Sequence, residues 1–245
     1  MAISIDCITK EFKGFRVLSG VTAEILENEF VCIVGPSGSG KTTLLRIIGG
    51  LEQPDSGRVL IDGTEIKPER GDIGFVFQEN SLFPWLNVEK NVTFGLNVKG
   101  VSSAEQKKVA QHYIELVGLK GFENYYPQQL SGGMKQRAGI ARAMAYSPRL
   151  LLMDEPFAAL DAQTRNTMQK ELLDIWSREK KTVIFVTHSI DEAVFLSDKV
   201  IVLSRSPGTV KEIITVKIER PRKRTHEEFI NYREKILRLI ENNHD

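Results

Sequence analysis

The stretch FVCIVGPSGSGKT, Phe30–Thr42, constrains the fold of this chain more than any other part of it. Phe30–Val34 is apolar without alternation, as a strand covered on both faces requires. It runs straight into Gly35, Pro36, Ser37, Gly38, Ser39, Gly40, Lys41 and Thr42, which match G-x-x-x-x-G-K-[ST], and a helix is expected from Lys41 through Thr43 onward. Glycines let such a loop curl so that successive amides face inward, and the helix N-terminus adds partial positive charge. The pattern calls for a nucleotide: Lys41 suits the β- and γ-phosphates, and the Thr42 hydroxyl suits magnesium.

A second apolar run, LLLMDEP at Leu150–Pro156, complements the first. A strand there delivers Asp154 to its C-terminal end, where open parallel sheets bind ligands and a carboxylate can hold a magnesium ion. Glu155, next to it, is a candidate to orient or deprotonate an attacking water. Further strands are expected in SIDCITKEF, RVLSGVTAEIL, RVLIDG, IGFVF, TVIFVTH and KVIVLS, with a long helix over about 162–179. Strands alternating with helices imply an α/β fold with a mostly parallel sheet. The alternation breaks where the pattern turns helical, so a single domain is expected, with a nucleotide-binding core at 1–83 and 148–216, a helical subdomain at 84–147, and a linker and C-terminal helix at 217–245. Ser102 with Glu105 forms a capping box, followed by a face of Val109, Tyr113, Leu116 and Val117 that Gly118 ends. Thr225 with Glu228 forms another, opening a helix with the stripe Phe229, Tyr232, Ile236 and Ile240.

The formal net charge of +1 provides no field for nucleic acid. The basic run at Arg220–Arg224 is expected to be a solvated linker. Cys7 and Cys32 lie in apolar stretches without metal-ligand spacing, and both are expected to be small buried hydrophobes. The N-terminus alternates as a strand does, unlike a secretory signal, and no run approaches the ~18–20 apolar residues of a membrane span. A cytosolic protein is expected, reaching a membrane only through a partner.

LSGGMKQR, at Leu130–Arg137, is a second small-residue loop that opens a helix. With it the motifs are complete: GPSGSGKT, Gln78 in FVFQEN, LSGGMKQR, LLLMDEP, Asp161 in AALD, and His188 in VTHSIDEA. In this order they resemble the nucleotide-binding subunit of ATP-binding-cassette transporters, over essentially the whole chain. The stretches SLFPWLNVEKNVTFGL, LLLMDEPFAALDAQTR and DEAVFLSDKVIVLSRSPGTV are most similar to the importer branch serving nitrate, sulfonates and taurine.

The resemblance implies a P-loop NTPase core of the RecA-like kind with an N-terminal antiparallel part. It implies that Phe12 stacks on adenine, with Phe15 as the competitor for that position. Gln78 would touch magnesium and the attacking water, His188 the γ-phosphate, and Asp161 the opposite subunit. The Ser131 hydroxyl, the amides of Gly132 and Gly133, and Gln136 would meet the ATP held by Lys41 of a second cassette, so that two chains sandwich each nucleotide. Leu82, Phe83, Trp85 and Leu86 crowd a loop that Pro84 keeps irregular; they either pack on the helical subdomain or rim a groove for a membrane subunit.

The implied protein is a peripheral ATPase on the cytoplasmic face of a membrane, using ATP and Mg²⁺. It would work with a second cassette, integral permease subunits and, indirectly, a substrate-binding protein. The alternatives weigh less. A soluble cassette ATPase acting on DNA or ribosomes carries long coiled coils or two cassettes, an exporter usually fuses its membrane helices to the cassette, and a P-loop kinase or GTPase leaves LSGGMKQR without a role.

Overall fold

The computed structural model describes residues 3–65, 73–78 and 81–241. In chain order the first elements are β1 (Ile3–Phe12), β2 (Phe15–Ile25), β3 (Phe30–Val34), α1 (Lys41–Ile48), β4 (Ser56–Ile61), β5 (Thr64–Glu65) and β6 (Ile73–Val76). Next come α2 (Val88–Val98), α3 (Ser103–Leu116), α4 (Gly132–Ala145), β7 (Leu150–Asp154) and α5 (Ala162–Glu179). The last are β8 (Thr182–Val186), α6 (Ile190–Leu196), β9 (Lys199–Leu203), β10 (Val210–Thr215) and α7 (Glu227–Glu241). They fall into two compact units, Met1–Arg70 with Thr182–Asp245, and Gly71–Lys181.

The first unit holds an antiparallel sheet in the order β2-β1-β4-β5. Its leading hairpin closes with Phe12 opposite Phe15, across Lys13 and Gly14 at φ 50° and 83°, the handedness that matches strand twist. Ile3, Ile5 and Ile8 are all buried, although their spacing changes from two residues to three. The chain absorbs the change in a bulge, where the register slips between Ile5 and Ile8 and Cys7 takes φ 49°. Cys7 is therefore exposed, contrary to the expectation from its apolar neighbours, whereas Cys32 is buried and its thiol is pushed far above the usual range by desolvation.

The same unit holds strands in the order β10-β9-β3-β8. β3 runs parallel to both β8 and β9, and β10 closes the edge antiparallel to β9. β3 and β8 are buried at every residue, as expected for strands covered on both faces. α1 packs on β8, α6 on β3, and α7 on α6 and β9. The α7 stripe seats Phe229 and Ile236 fully, while Tyr232 and Ile240 are only half-buried. This helix begins one turn position later than the Thr225–Glu228 box implies: Thr225 lies in the preceding turn, and the His226 carbonyl accepts the first helical bond from Ile230.

The basic run before α7 is not a solvated linker. Arg222 is 6% exposed, and its guanidinium donates to backbone carbonyls of Val194, Ser197 and Ile218 at 2.7, 2.6 and 2.9 Å. Charge composition alone hides this, because a guanidinium is tolerated inside when carbonyls occupy its donors. Burial pulls the Arg222 pKa down to about 10.

In the second unit β6 runs parallel to β7, and α2, α3 and α4 pack on one another. Their starts are fixed by side-chain caps: Asn87 accepts from Lys90 N–H, Ser102 from Glu105 N–H and Ser131 from Met134 N–H. The buried face of α3 is Ala110, Tyr113 and Ile114, continued by Val117, with Val109 and Leu116 half-buried at its margins. Arg137 ties α4 to its neighbours, donating to the Val117 carbonyl and pairing with Glu171 at 2.8 Å. Among the described residues no helix is long and apolar enough to cross a membrane.

Candidate functional site

In the first unit the loop after β3 is shaped for an anion. Gly40 takes φ 83° at the N-cap of α1, no side chain caps that helix, and its N-terminus carries the partial positive charge that favours an anion. A side chain at Gly40 would place Cβ 2.6 Å from Leu18 Cδ2, so both its conformation and its surroundings call for glycine. Lys41 is 5% exposed, and its ammonium donates to the carbonyls of Gly35 and Pro36, each at 3.0 Å. The Ser39 hydroxyl is fully buried with no hydrogen-bond partner among the described residues. A buried orphan hydroxyl is costly unless a polar ligand enters, and a phosphate oxygen is a partner to which both a hydroxyl and an ammonium donate. Ser37 and Gly38 lie exposed at the loop tip, and Thr42 and Thr43 are half-buried on the first turn of α1.

The loop also has a support that the sequence patterns do not reveal. Gly208 bonds across to β2, donating to the Val17 carbonyl and accepting from Ser19 N–H. A Cβ there would lie 2.1 Å from the Ser39 carbonyl oxygen, so the chain around Pro207–Gly208 rests directly on the back of the phosphate loop. A Pro-Gly pair signals a turn, but the local pattern does not tell what the turn touches.

Phe12 and Phe15 are 42% and 62% exposed, and the Lys10 ammonium lies 5.0 Å from the Phe12 ring centroid. Salt bridges to Glu52 and Asp55 anchor that ammonium and raise the Lys10 pKa. Both rings remain available for stacking. His188 is exposed just beyond β8, and its flanking residues are tightly bonded. Thr187 donates to the Glu192 carboxylate at 2.5 Å and accepts from Ser189 N–H at 3.0 Å, and Ser189 caps α6 through Glu192 N–H.

In the second unit β7 ends in Asp154, 4% exposed, and Glu155 follows at φ 45°. A left-handed conformation costs a non-glycine residue about 1–2 kcal/mol, and such strain gathers at functional positions. The Glu155 carboxylate accepts from the Gln78 side-chain amide at 3.3 Å, which joins two residues far apart in sequence. Among the described residues no group of three or more His, Cys, Asp or Glu could hold a metal alone. Within this unit the Asp154 carboxylate and the Gln78 amide oxygen, and in the first unit the Thr42 hydroxyl, are each the kind of hard oxygen donor that Mg²⁺ takes.

Ser131 and Gly132 are exposed and Gly133 half-buried at the start of α4, but Gln136 is 3% exposed. One turn into the helix, Gln136 falls on its inward face and does not share that exposed edge. Asp161 is exposed and caps α5, accepting from Gln163 and Thr164 N–H at 3.0 Å each. The side chain and amide of Thr164, with the Gln163 amide, hold its carboxyl below the usual range.

The loop at residues 81–87 has a rim of one exposed indole and two partly covered side chains. Trp85 is 69% exposed, and Phe83 and Leu86 are half-buried. Leu82, 7% exposed, is packed inside the unit and contributes nothing to the rim. Phe94 and Val98, one turn apart on α2, extend the surface at 40% and 73% exposure. The Phe83 ring lies 4.5 Å from that of Phe94 and 5.5 Å from that of Trp85. Buried Asn91 shapes the loop, accepting from Phe83 N–H and donating to the carbonyls of Phe83, Leu86 and Asn87. Arg142 of α4 donates to the Ser81 carbonyl and hydroxyl and sits 5.5 Å from the Phe83 ring centroid.

Comparison with known proteins shows the family and the fold. The family model described as ABC transporter matches residues 18–158. An uncharacterized ABC transporter ATP-binding protein of Methanocaldococcus jannaschii is 57% identical over 242 residues, covering 97% of this chain and 91% of its own length. A nitrate import ATP-binding protein of Synechocystis is 44% identical over 253 residues, with 98% and 95% covered. Among solved structures, a dimeric ATP-binding cassette in a post-hydrolysis state with ADP and phosphate is 36% identical and superposes with a TM-score of 0.78, covering 89% of this chain and all of that one.

Proposed function

The chain belongs to the ABC transporter family, whose ATP-binding proteins are ATPases, and from that premise we propose that it is the motor subunit of an importer for a small anion such as nitrate, a sulfonate or taurine. Nitrate import by a relative at 44% identity supports this branch. ATP enters with its phosphates on the amides of residues 35–43 and on Lys41, and with adenine against Phe12 or Phe15. The buried Ser39 hydroxyl and Lys41 ammonium support this assignment. Thr42, Asp154 and Gln78 would hold Mg²⁺, which when bound would supply charge neutralisation to the phosphates.

The observation that carries the hydrolytic reading is Glu155 itself, held at φ 45° with its carboxylate bonded to Gln78. Glu155 takes the proton of the attacking water or fixes its lone pair, Gln78 orients the same water, and His188 holds the γ-phosphate in line. Phosphoryl transfer asks mainly for positioning and charge stabilisation, which this set provides.

Two cassettes close head to tail, each presenting Ser131, Gly132 and Gly133 to the γ-phosphate on the other, with Asp161 at the contact. The dimeric relative supports this assembly. Phe83, Trp85, Phe94 and Val98 receive a membrane subunit, placing the chain on the cytoplasmic face of the membrane. Docking reaches the water through Gln78, which precedes that loop in sequence, and reaches the last turn of α4, the helix that Ser131 opens, through Ser81 and Arg142. Glu155→Gln tests the core of the reading. Nucleotide affinity stays within a few-fold and steady-state hydrolysis nearly disappears; turnover close to that of the parent removes Glu155 from the chemistry.

A further inference from the structure

The three arginines of the run 220–224 converge on one target, the C-terminal end of α6. Arg222 Nη1 donates to the carbonyls of Val194 and Ser197 and, more weakly at 3.4 Å, to that of Phe195. Arg220 pairs with the Asp198 carboxylate and donates to the Leu196 carbonyl. The Arg224 guanidinium lies 4.0 Å from the Phe195 ring centroid. A helix leaves its last carbonyls unbonded and carries partial negative charge there, so cationic forks are the strongest cap it can receive. Arg222 also reaches back to Val216 and Ile218, which locks the arm to the body of its unit.

α6 is seven residues long, too short to hold its shape without its ends fixed. Its other end starts at Ser189, immediately after His188, inside the network of Thr187, Ser189 and Glu192. Glu192 is 5% exposed and bridges from the helix to Thr187, so a shift of α6 moves both residues that flank His188. Asp198, which Arg220 holds, also accepts from Phe30 N–H and donates to the Phe30 carbonyl at the start of β3. The arm therefore grips the strand that leads to the phosphate loop as well as the helix that follows His188.

We propose that Arg222, with Arg220 and Arg224, is a positioning element for His188, and that ATP turnover depends on this arm being docked on α6. The proposal rests on the reading of His188 as the γ-phosphate contact. Arg222 touches no nucleotide; it fixes the far end of the short helix whose near end sets His188. Undocking the arm leaves the phosphate loop able to bind ATP and lets the imidazole wander. A misplacement of about 1 Å costs on the order of 10²-fold in rate.

The test uses the full chain carrying Arg222→Met, which keeps length and removes every donor, and Arg224→Ala, which removes a half-exposed contact and threatens folding less. The readouts are KM and kcat for ATP, and the four histidine resonances of histidine-labelled protein with a non-hydrolysable ATP analogue. His188→Ala identifies the resonance of His188 and measures its own effect on turnover. The expected result is kcat lowered about 10- to 100-fold by Arg222→Met and less by Arg224→Ala, with KM within about threefold. The His188 resonance should lose most of its shift on analogue binding, and Arg222→Lys should recover part of both effects. If His188→Ala inactivates while both arm variants keep the parent's kcat and resonance shift, the arm has no positioning role. If both variants raise KM as much as they lower kcat, the arm acts on nucleotide binding and not on His188; if kcat falls while the His188 resonance keeps its full shift, the arm is a stability element only. If His188→Ala leaves turnover unchanged, the reading of His188 fails and the role of the arm falls with it.

Discussion

Asn91 offers the sharpest test of how the exposed aromatic loop is held. Its side chain is completely buried, with Oδ1 accepting from Phe83 N–H at 2.8 Å and Nδ2 near the carbonyls of Leu86, Asn87 and Phe83 at 2.8, 3.0 and 3.1 Å. Asn91→Leu is close to isosteric, so it leaves little cavity and removes only the hydrogen bonds. It strands the Phe83 amide and the Leu86 carbonyl; the Asn87 and Phe83 carbonyls retain their backbone bonds from Asn91 N–H and Leu86 N–H. At roughly 1 kcal/mol for each of these two orphaned groups, since the loop is partly covered and water reaches some of it, the loss is about 2 kcal/mol. For a chain of this size that is a fall in Tm of roughly 4–8 °C. Asn91→Asp should be worse near neutral pH, because it turns a carboxylate toward three carbonyls. Its folded-state pKa would then lie above the unfolded value of about 3.9, so the deficit relative to the parent shrinks as pH falls and grows as pH rises through the folded value. Thermal melts of the parent and both variants between pH 4.5 and 8 measure this. A Tm for Asn91→Leu within 2 °C of the parent, or an Asn91→Asp deficit that does not change with pH, refutes the argument that these bonds hold the loop.

Three further outcomes follow from the same geometry. Gly208→Ala forces a Cβ against the Ser39 carbonyl, so the phosphate loop must shift; overpacking costs typically 1–3 kcal/mol, and a nucleotide titration should show affinity lower by about tenfold or more. Trp85→Ala removes the exposed indole of the rim and should abolish co-purification with the membrane subunit while the isolated ATPase persists; unchanged co-purification places the docking surface elsewhere. Ser131→Arg, combined with Glu155→Gln and ATP, should remain a monomer on gel filtration, because the substitution crowds the exposed edge meant for the partner's γ-phosphate; a persistent dimer peak refutes the head-to-tail arrangement.

What the sequence discloses and what it conceals divide along one physical line. Phe30–Val34, Leu150–Asp154 and Ala162–Glu179 stand where the apolar runs and the Asp161 cap place them, because those signals are local and the residues that make them also end them. The phosphate loop is legible for the same reason: its chemistry is backbone chemistry, written by glycines at fixed spacing. Misreadings occur where a residue's role is set by a partner distant in sequence. Cys7 sits among buried isoleucines, yet a bulge that serves the pairing of β1 turns it outward. Leu82 looks like its exposed neighbours, yet it is buried, while Phe94 and Val98, ordinary members of an amphipathic helix, stand open. Arg222 carries the same misreading furthest. A basic run is solvated unless enough acceptors assemble around it, and the acceptors here are orphaned carbonyls of a helix more than twenty residues away. Composition records donors but not where a helix ends in space. A buried arginine among carbonyls, a glycine against a carbonyl and an asparagine under a loop are thus one kind of information, carried by tertiary structure, and each braces a segment whose own motif had already been readable.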